Sequence, residues 1–338
     1  IQDLVGYESG HSSKEEVLSI AIKRTKYIEK IIKIFDPDFV YWPTAVASFD
    51  AVILDLICRH HNIKFISASP FRVKNYFYYA TDMFYNYPNL KKDYLKSKIT
   101  RNNSSVINKL YKEISSPGKL SSDTEYVVNS LKKLDINIFK NIYILIVFFL
   151  KHSVAYLLFK LNFKIFNLSL HKKYKFFSAI SEKFKLQAKL QYLKKLKYKD
   201  LNCRYIYYPM HRTPESSTQL NGNTFMDQFF LIQSLSRNLP VNYKLLIKEH
   251  PSMIQAHTRG NKFYEKVLKL PNVEIVDFRL SGVEIVKKAK LVVVLDGSSA
   301  MEAMLLGIPV LTMANFIYSF LGLSINNSDI SNLNLDIV

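Results

Sequence analysis

Between residues 201 and 338 five short apolar runs recur: Tyr205–Pro209, Tyr243–Lys248, Val273–Val276, Leu291–Leu295 and Ile308–Thr312. Each is separated from the next by a helix-length stretch. No other feature constrains the fold as much. Strands buried on both faces read as continuous apolar runs, and parallel neighbours need a crossover that is usually a helix. The intervening stretches predict helices over Phe225–Leu239, Phe263–Lys269, Gly282–Lys288 and Ala300–Leu306. The expectation is a doubly wound α/β sheet, whose ligands bind at the carboxyl ends of the strands.

The first 95 residues show a shorter version of the same alternation. Ser12-Ser13 followed by Glu15-Glu16 reads as a capping box opening a helix that ends at Asp36-Pro37-Asp38. Phe39–Trp42 reads as a short buried strand, Phe49–His61 as a helix and Lys64–Ala68 as a strand, which implies parallel βαβ units. Residues 96–200 differ: they are rich in Lys, Asn, aromatic and aliphatic residues and almost lack Gly and Pro. The apolar stretch Asn141–Phe159 is interrupted by Lys151-His152, too early for a membrane span of about 20 residues. Lys172–Lys197 is a basic, helical run. It is read either as a region lying on an anionic membrane surface or as a solvated face whose apolar side packs on the protein.

A chain of 338 residues suits about two domains. Residues 1–95 are expected to form one, incomplete at its start because the chain begins at Ile1, not Met, directly in a loop and helix; no signal-peptide pattern is visible. Residues 96–200 form a basic insertion, and residues 201–338 a second domain. The two cysteines, Cys58 and Cys203, exclude a disulfide scaffold and a CxxC zinc site, and suit a reducing, cytoplasmic compartment. The net charge of +19 admits nucleic acid, an anionic membrane or an anionic substrate as partner.

Three strand ends carry polar clusters. Pro209-Met210-His211-Arg212-Thr213-Pro214-Glu215-Ser216-Ser217 follows the first run. Lys248-Glu249-His250-Pro251 follows the second, where Pro251 restricts His250 to an extended backbone. Asp296-Gly297-Ser298-Ser299, with Glu302, follows the fourth. There Gly297 admits close backbone approach, and a helix start offers amides to an anion. Ser299-x-x-Glu302 is also a capping box that needs no ligand.

In order and spacing these elements resemble the nucleotide-binding half of GT-B glycosyltransferases, and more narrowly the bacterial capsule polysaccharide biosynthesis family with its transferases of 3-deoxy-manno-octulosonic acid (Kdo). The resemblance covers about Tyr205–Met313. It implies a GT-B fold, two Rossmann-like domains facing a cleft with a basic helical insertion between them. It implies that His250 and Pro251 hold the cytidine monophosphate of a CMP-sugar, Kdo first and a nonulosonic acid second. Ser298 and Ser299 would grip the donor phosphate and Glu302 the ribose, with Lys248 and Gly297 completing the donor site. His211 and Glu215 match a His-x-x-Pro-Glu-x-Ser element facing the cleft. Arg212-Thr213 stand where aromatic and Gln residues are more usual. The acceptor would be a capsule or lipopolysaccharide glycan or a glycolipid, and the enzyme peripheral on the inner face of the cytoplasmic membrane.

A departing nucleotide gathers negative charge, which these groups can stabilise without a metal or other cofactor. Asp36-Pro37-Asp38 mimics a metal-binding DxD, but its Pro lies at a helix stop. A base for the acceptor is expected from the first domain. Glu8 is the first candidate, with His11 in the same loop, while Asp50 reads as a helix cap. Arg72 could bind a sugar carboxylate, and His60-His61 suit a helix carboxyl end. Three other functions compete: a CDP-glycerol-dependent glycerophosphotransferase of the teichoic acid type, a basic nucleic-acid-binding protein, for which no recognised module is present, and a non-catalytic membrane-associated scaffold.

Overall fold

The computed structural model describes residues 13–43, 48–70, 77–83, 88–97, 104–115, 198–213, 217–256, 259–295 and 297–314. It also describes residues 146, 147, 150, 189, 192, 193, 195, 196, 215, 319 and 322–326. The first helix, α1 (Lys14–Phe35), is capped by Ser13, whose hydroxyl accepts from the Glu16 amide at 3.2 Å. It stops at Asp36, in the left-handed region at φ 40°, whose N–H bonds the Ile32 carbonyl. The strand β1 (Phe39–Trp42), helix α2 (Phe49–His60) and strand β2 (Lys64–Pro70) follow, with β1 and β2 parallel. Ser48, rather than Asp50, caps α2 through a 3.2 Å bond from the Ala51 amide. Asp50 instead stands 3.6 Å from Arg24 of α1. His60 and His61 are exposed at the end of α2.

Two expectations for this unit change. The strand β3 (Phe77–Ala80) joins β2 antiparallel, so the sheet is not purely parallel. Nor is β1 a buried strand. It lies at the sheet edge, and Phe39 and Tyr41 are 58% and 52% exposed because they share the face that α2 does not cover. Helices α3 (Pro88–Lys96) and α4 (Ser104–Ser115) come next.

The larger sheet is built from β4 (Tyr205–Pro209), β5 (Lys244–Lys248), β6 (Val273–Ile275), β7 (Leu291–Val294), β8 (Val310–Thr312) and β9 (Ile325–Asn326). Their order is β6-β5-β4-β7-β8-β9, and every described pairing is parallel. Period-2 alternation divides the strands between two cores. Ile206, Tyr208, Leu245, Ile247 and Val293 pack with Leu231, Ile232 and Leu235 of α5 (Gln228–Arg237) and Tyr264 and Val267 of α7 (Asn261–Leu268). Tyr205, Tyr207, Leu246, Val292 and Val294 pack with Ile285 and Val286 of α8 (Gly282–Lys288) and Ala300 and Ala303 of α9 (Ser298–Leu305). Each fully buried aliphatic side chain contributes about 1.5–3 kcal/mol. Ala80 of β3 joins the second core, and Leu220 packs against the core of the smaller unit, so the two units share packed side chains.

The end of the basic run is packed on the protein where it is described. Leu193 is buried in the first core, and the Lys189 ammonium is buried and donates to the Met253 carbonyl at 2.6 Å. Most of residues 96–200 lies outside the described residues. No helix among those described is long and apolar enough to cross a membrane.

Candidate functional site

The chain runs from β4 outward through β5 to β6, then returns to the other side of β4 as β7. The crevice between the ends of β4 and β7 is therefore a topological switch point, where open α/β sheets bind ligands. The three polar clusters leave β4, β5 and β7, which are adjacent strands. Their carboxyl ends lie on one sheet edge because all three run parallel.

The β4 and β7 clusters meet. A Cβ placed on Gly297 would lie 3.7 Å from His211 Nε2. Gly297 has φ 117° and ψ 174°, a conformation open almost only to glycine. It stands at the N-cap of α9 with no side-chain cap bond. Ser299 thus sits inside the first turn and makes no capping box with Glu302. Ser298 is exposed, Ser299 is half-buried, and both lie in the first turn of α9.

The β4 and β5 clusters are tied by a backbone bond from Met210 N–H to the Lys248 carbonyl, 2.9 Å. A helix not expected from the sequence, α6 (Pro251–Ala256), begins directly after His250. Pro251 serves it as the first residue, where a missing N–H costs nothing. Lys248 is buried on the α8–α9 side of the sheet and donates to the Leu280 carbonyl at 2.7 Å. Burial lowers its ammonium to about 8, against the attraction of Glu302 and Asp277. Burial likewise raises Glu302 to about 7, with Lys248 opposing. Lys248 and Glu302 thus lie within electrostatic reach of each other, and Lys248 is held inward by Leu280 rather than offered to solvent. Burial also holds the His250 imidazole below its ordinary value, against Glu215 and Glu249 and with help from Arg259 and Arg212. His211 is buried and Glu215 exposed.

Behind the two histidines lies a polar network that sequence reasoning missed. Arg259 donates from Nη1 to Glu249 Oε1 and from Nη2 to the His211 carbonyl, both at 2.5 Å. Tyr264 Oη donates to Glu249 Oε2 at 2.5 Å, and the His250 N–H to Glu249 Oε1 at 2.8 Å. Gln228 grips both polar groups of the His211 backbone, accepting from its N–H at 2.8 Å and donating to its carbonyl at 3.0 Å. Gln228 also accepts from Tyr208 Oη and donates to Thr213 Oγ1. Arg259 and Glu249 are 7% and 1% exposed, a buried and directly hydrogen-bonded charge pair. Arg259 sits in a polar loop with nothing in its neighbourhood to announce burial. Glu249, between Lys248 and His250, was the one available signal.

Glu8, His11 and Arg72 lie outside the described residues, as does Asp296. Among the described residues no three His, Cys, Asp or Glu side chains stand together as a metal site.

Residues 221–334 match the family model described as capsule polysaccharide biosynthesis protein, which bears out the resemblance carried by the strand-end motifs over that part of the chain. No curated protein matches. The chain is similar to a solved structure of Thermosulfurimonas dismutans KpsC, beta Kdo 2,7 transferase. That match has 19% identity and a TM-score of 0.32, covering 44% of this chain and 46% of that one. It is similar to the beta Kdo 2,4 transferase of the same KpsC at 14% identity and a TM-score of 0.31, covering 43% and 50%. It is also similar to UDP-GlcNAc 2-epimerase from Methanocaldococcus jannaschii at 11% identity and a TM-score of 0.31, covering 95% and 74%. The chain spans about half the length of the two KpsC structures.

Proposed function

We propose, from the premise that residues 221–334 are a capsule polysaccharide biosynthesis segment, that the protein is a glycosyltransferase of GT-B type. It would move Kdo, or a related acidic sugar, from a CMP-sugar to a growing surface glycan or glycolipid. The observation that carries this reading is the approach of Gly297 to His211 at the crevice between β4 and β7, with the His250 strand end adjoining it. The amides opening α9 and the hydroxyls of Ser298 and Ser299 suit a phosphate, because a helix start concentrates unpaired N–H donors and positive potential. His250 adds a ring donor from the neighbouring strand end. As the sugar departs, charge grows on the nucleotide phosphate, and fixed donors stabilise it without reorganising. Glu302 is assigned to the donor ribose and Lys248 to holding Glu302, since the Lys248 ammonium is bonded inward to Leu280. Glu215, exposed after β4, is assigned with His211 to the acceptor side of the crevice, and Glu8 or His11 to the base.

Calorimetric titration of the full chain with CMP, UDP and GDP tests the donor. CMP is expected to bind at least about tenfold more tightly than the others, a difference of 1.4 kcal/mol. Tight UDP or GDP binding without CMP binding overturns the donor, and silence with all three overturns the site. Incubation with radiolabelled CMP-Kdo against CDP-glycerol then separates glycosyl from glycerophosphate transfer.

A further inference from the structure

His250 stands immediately before Pro251, the first residue of α6, and its own ring turns back onto that helix. The Ser252 N–H points at His250 Nδ1 over 3.3 Å, and Ser252 Oγ lies 2.7 Å from the same nitrogen. A backbone N–H can only donate, so the nitrogen it faces must present its lone pair. Were Nδ1 protonated, two hydrogens would oppose one another. The Ser252 hydroxyl is then free to add its own hydrogen to the same lone pair. The two ring nitrogens of a neutral imidazole divide the roles, and the partner of one fixes the other.

We infer that Ser252 is a positioning residue: with its backbone and hydroxyl both on Nδ1, it holds neutral His250 as the Nε2–H tautomer, so that the ring meets an anionic ligand as a hydrogen-bond donor. The imidazole thereby takes the place of the Ser, Thr, Asp or Asn side chain that ordinarily caps a helix. The backbone of His250 is secured separately. Its N–H donates to Glu249 Oε1, and its carbonyl accepts from the Met253 N–H at 2.9 Å. Protonating Nδ1 would break the cap, which agrees with the direction in which burial moves this group. The charged groups around the ring are Glu215 and Glu249, which favour its cation, and Arg259 and Arg212, which oppose it. A lone pair on Nδ1 also bars that nitrogen from donating to a phosphate, leaving Nε2 as the single donor of the ring. The ligand side of this inference rests on the proposed CMP-sugar reading, whereas the tautomer does not.

The test uses the full chain labelled with 15N-histidine, read by long-range proton–nitrogen correlation above the His250 titration. His250→Gln assigns the signal by its loss. The expected spectrum has a pyridine-like Nδ1 and a pyrrole-like Nε2 before any nucleotide is added. Ser252→Ala keeps the backbone N–H at Nδ1 and removes only the hydroxyl, so it should admit the other tautomer in part and weaken CMP binding about threefold to tenfold, the loss of one hydrogen bond. Ser252→Thr, which restores the hydroxyl, should recover both readouts. A pyrrole-like Nδ1 in the wild type, or a Ser252→Ala spectrum and affinity identical to wild type, overturns the inference. If His250 shows the expected tautomer but CMP does not bind, the CMP reading fails and the assignment of Ser252 stands.

Discussion

Replacing Arg259 by Met tests the network behind the two histidines. Glu249 is 1% exposed and receives three donors: Arg259, Tyr264 and its neighbour's N–H on His250. Methionine fills much of the volume but leaves the carboxylate with neutral donors alone. An uncompensated buried charge costs about 3–5 kcal/mol. Lys189 lies within electrostatic reach of Glu249, which draws the expectation toward the lower figure. The His211 carbonyl keeps its bond from Gln228, so loss of that contact adds little. Urea unfolding analysed by linear extrapolation measures the cost. Pairing Arg259→Met with Glu249→Gln closes a double-mutant cycle. The combined loss should fall short of the sum by about 1–3 kcal/mol, as for residues in one network. A single-variant cost below about 1 kcal/mol, or additivity within about 0.5 kcal/mol, would refute the view that this pair is a coupled and desolvated unit.

Gly297→Ala should cost about 1–3 kcal/mol through its backbone alone, since the new Cβ would meet His211 Nε2 at an ordinary 3.7 Å. Ser298→Ala beside it should stay within about 0.5 kcal/mol, and equal midpoints in urea would remove the strain argument. His250→Ala should lower turnover by at least about tenfold if the ring stabilises departing charge, and unchanged turnover would take it out of the site. Burial of the Lys248–Glu302 pair shapes stability against pH. The folded state keeps the Glu302 proton between its ordinary 4.5 and about 7, so stability falls as pH rises through that window. The unfolded chain keeps the Lys248 proton between about 8 and 10.5, so stability rises there. The wild-type profile minus that of Lys248→Met/Glu302→Gln should dip between about pH 7 and 8, and a flat difference would contradict it.

The larger sheet was legible because its strands are buried on both faces. Tyr205–Pro209 and Leu291–Val294 read as apolar blocks, and periodicity in the intervening stretches marked α5, α7 and α8. In the smaller unit that logic failed at β1. An aromatic run such as Phe39–Trp42 reads as core, although at a sheet edge half of it faces outward. The strand β3 was missed for a related reason, since an antiparallel partner needs no helical crossover to announce it. The helix α6 escaped notice because Pro251 reads as a breaker unless it is placed at the first helical position.

Local pattern alone determined that polar clusters end β4, β5 and β7, because strand and helix periods are written into neighbouring residues. Tertiary structure decided which clusters meet and what each group faces. His211 came beside Gly297, Lys248 turned inward to Leu280, and Arg259 reached across to Glu249 and the His211 carbonyl. Those partners lie 10 to 86 positions apart in the chain, a separation over which sequence carries no period. Burial and hydrogen-bond satisfaction arise only once the layers close, so the chemistry of the crevice belongs to the fold.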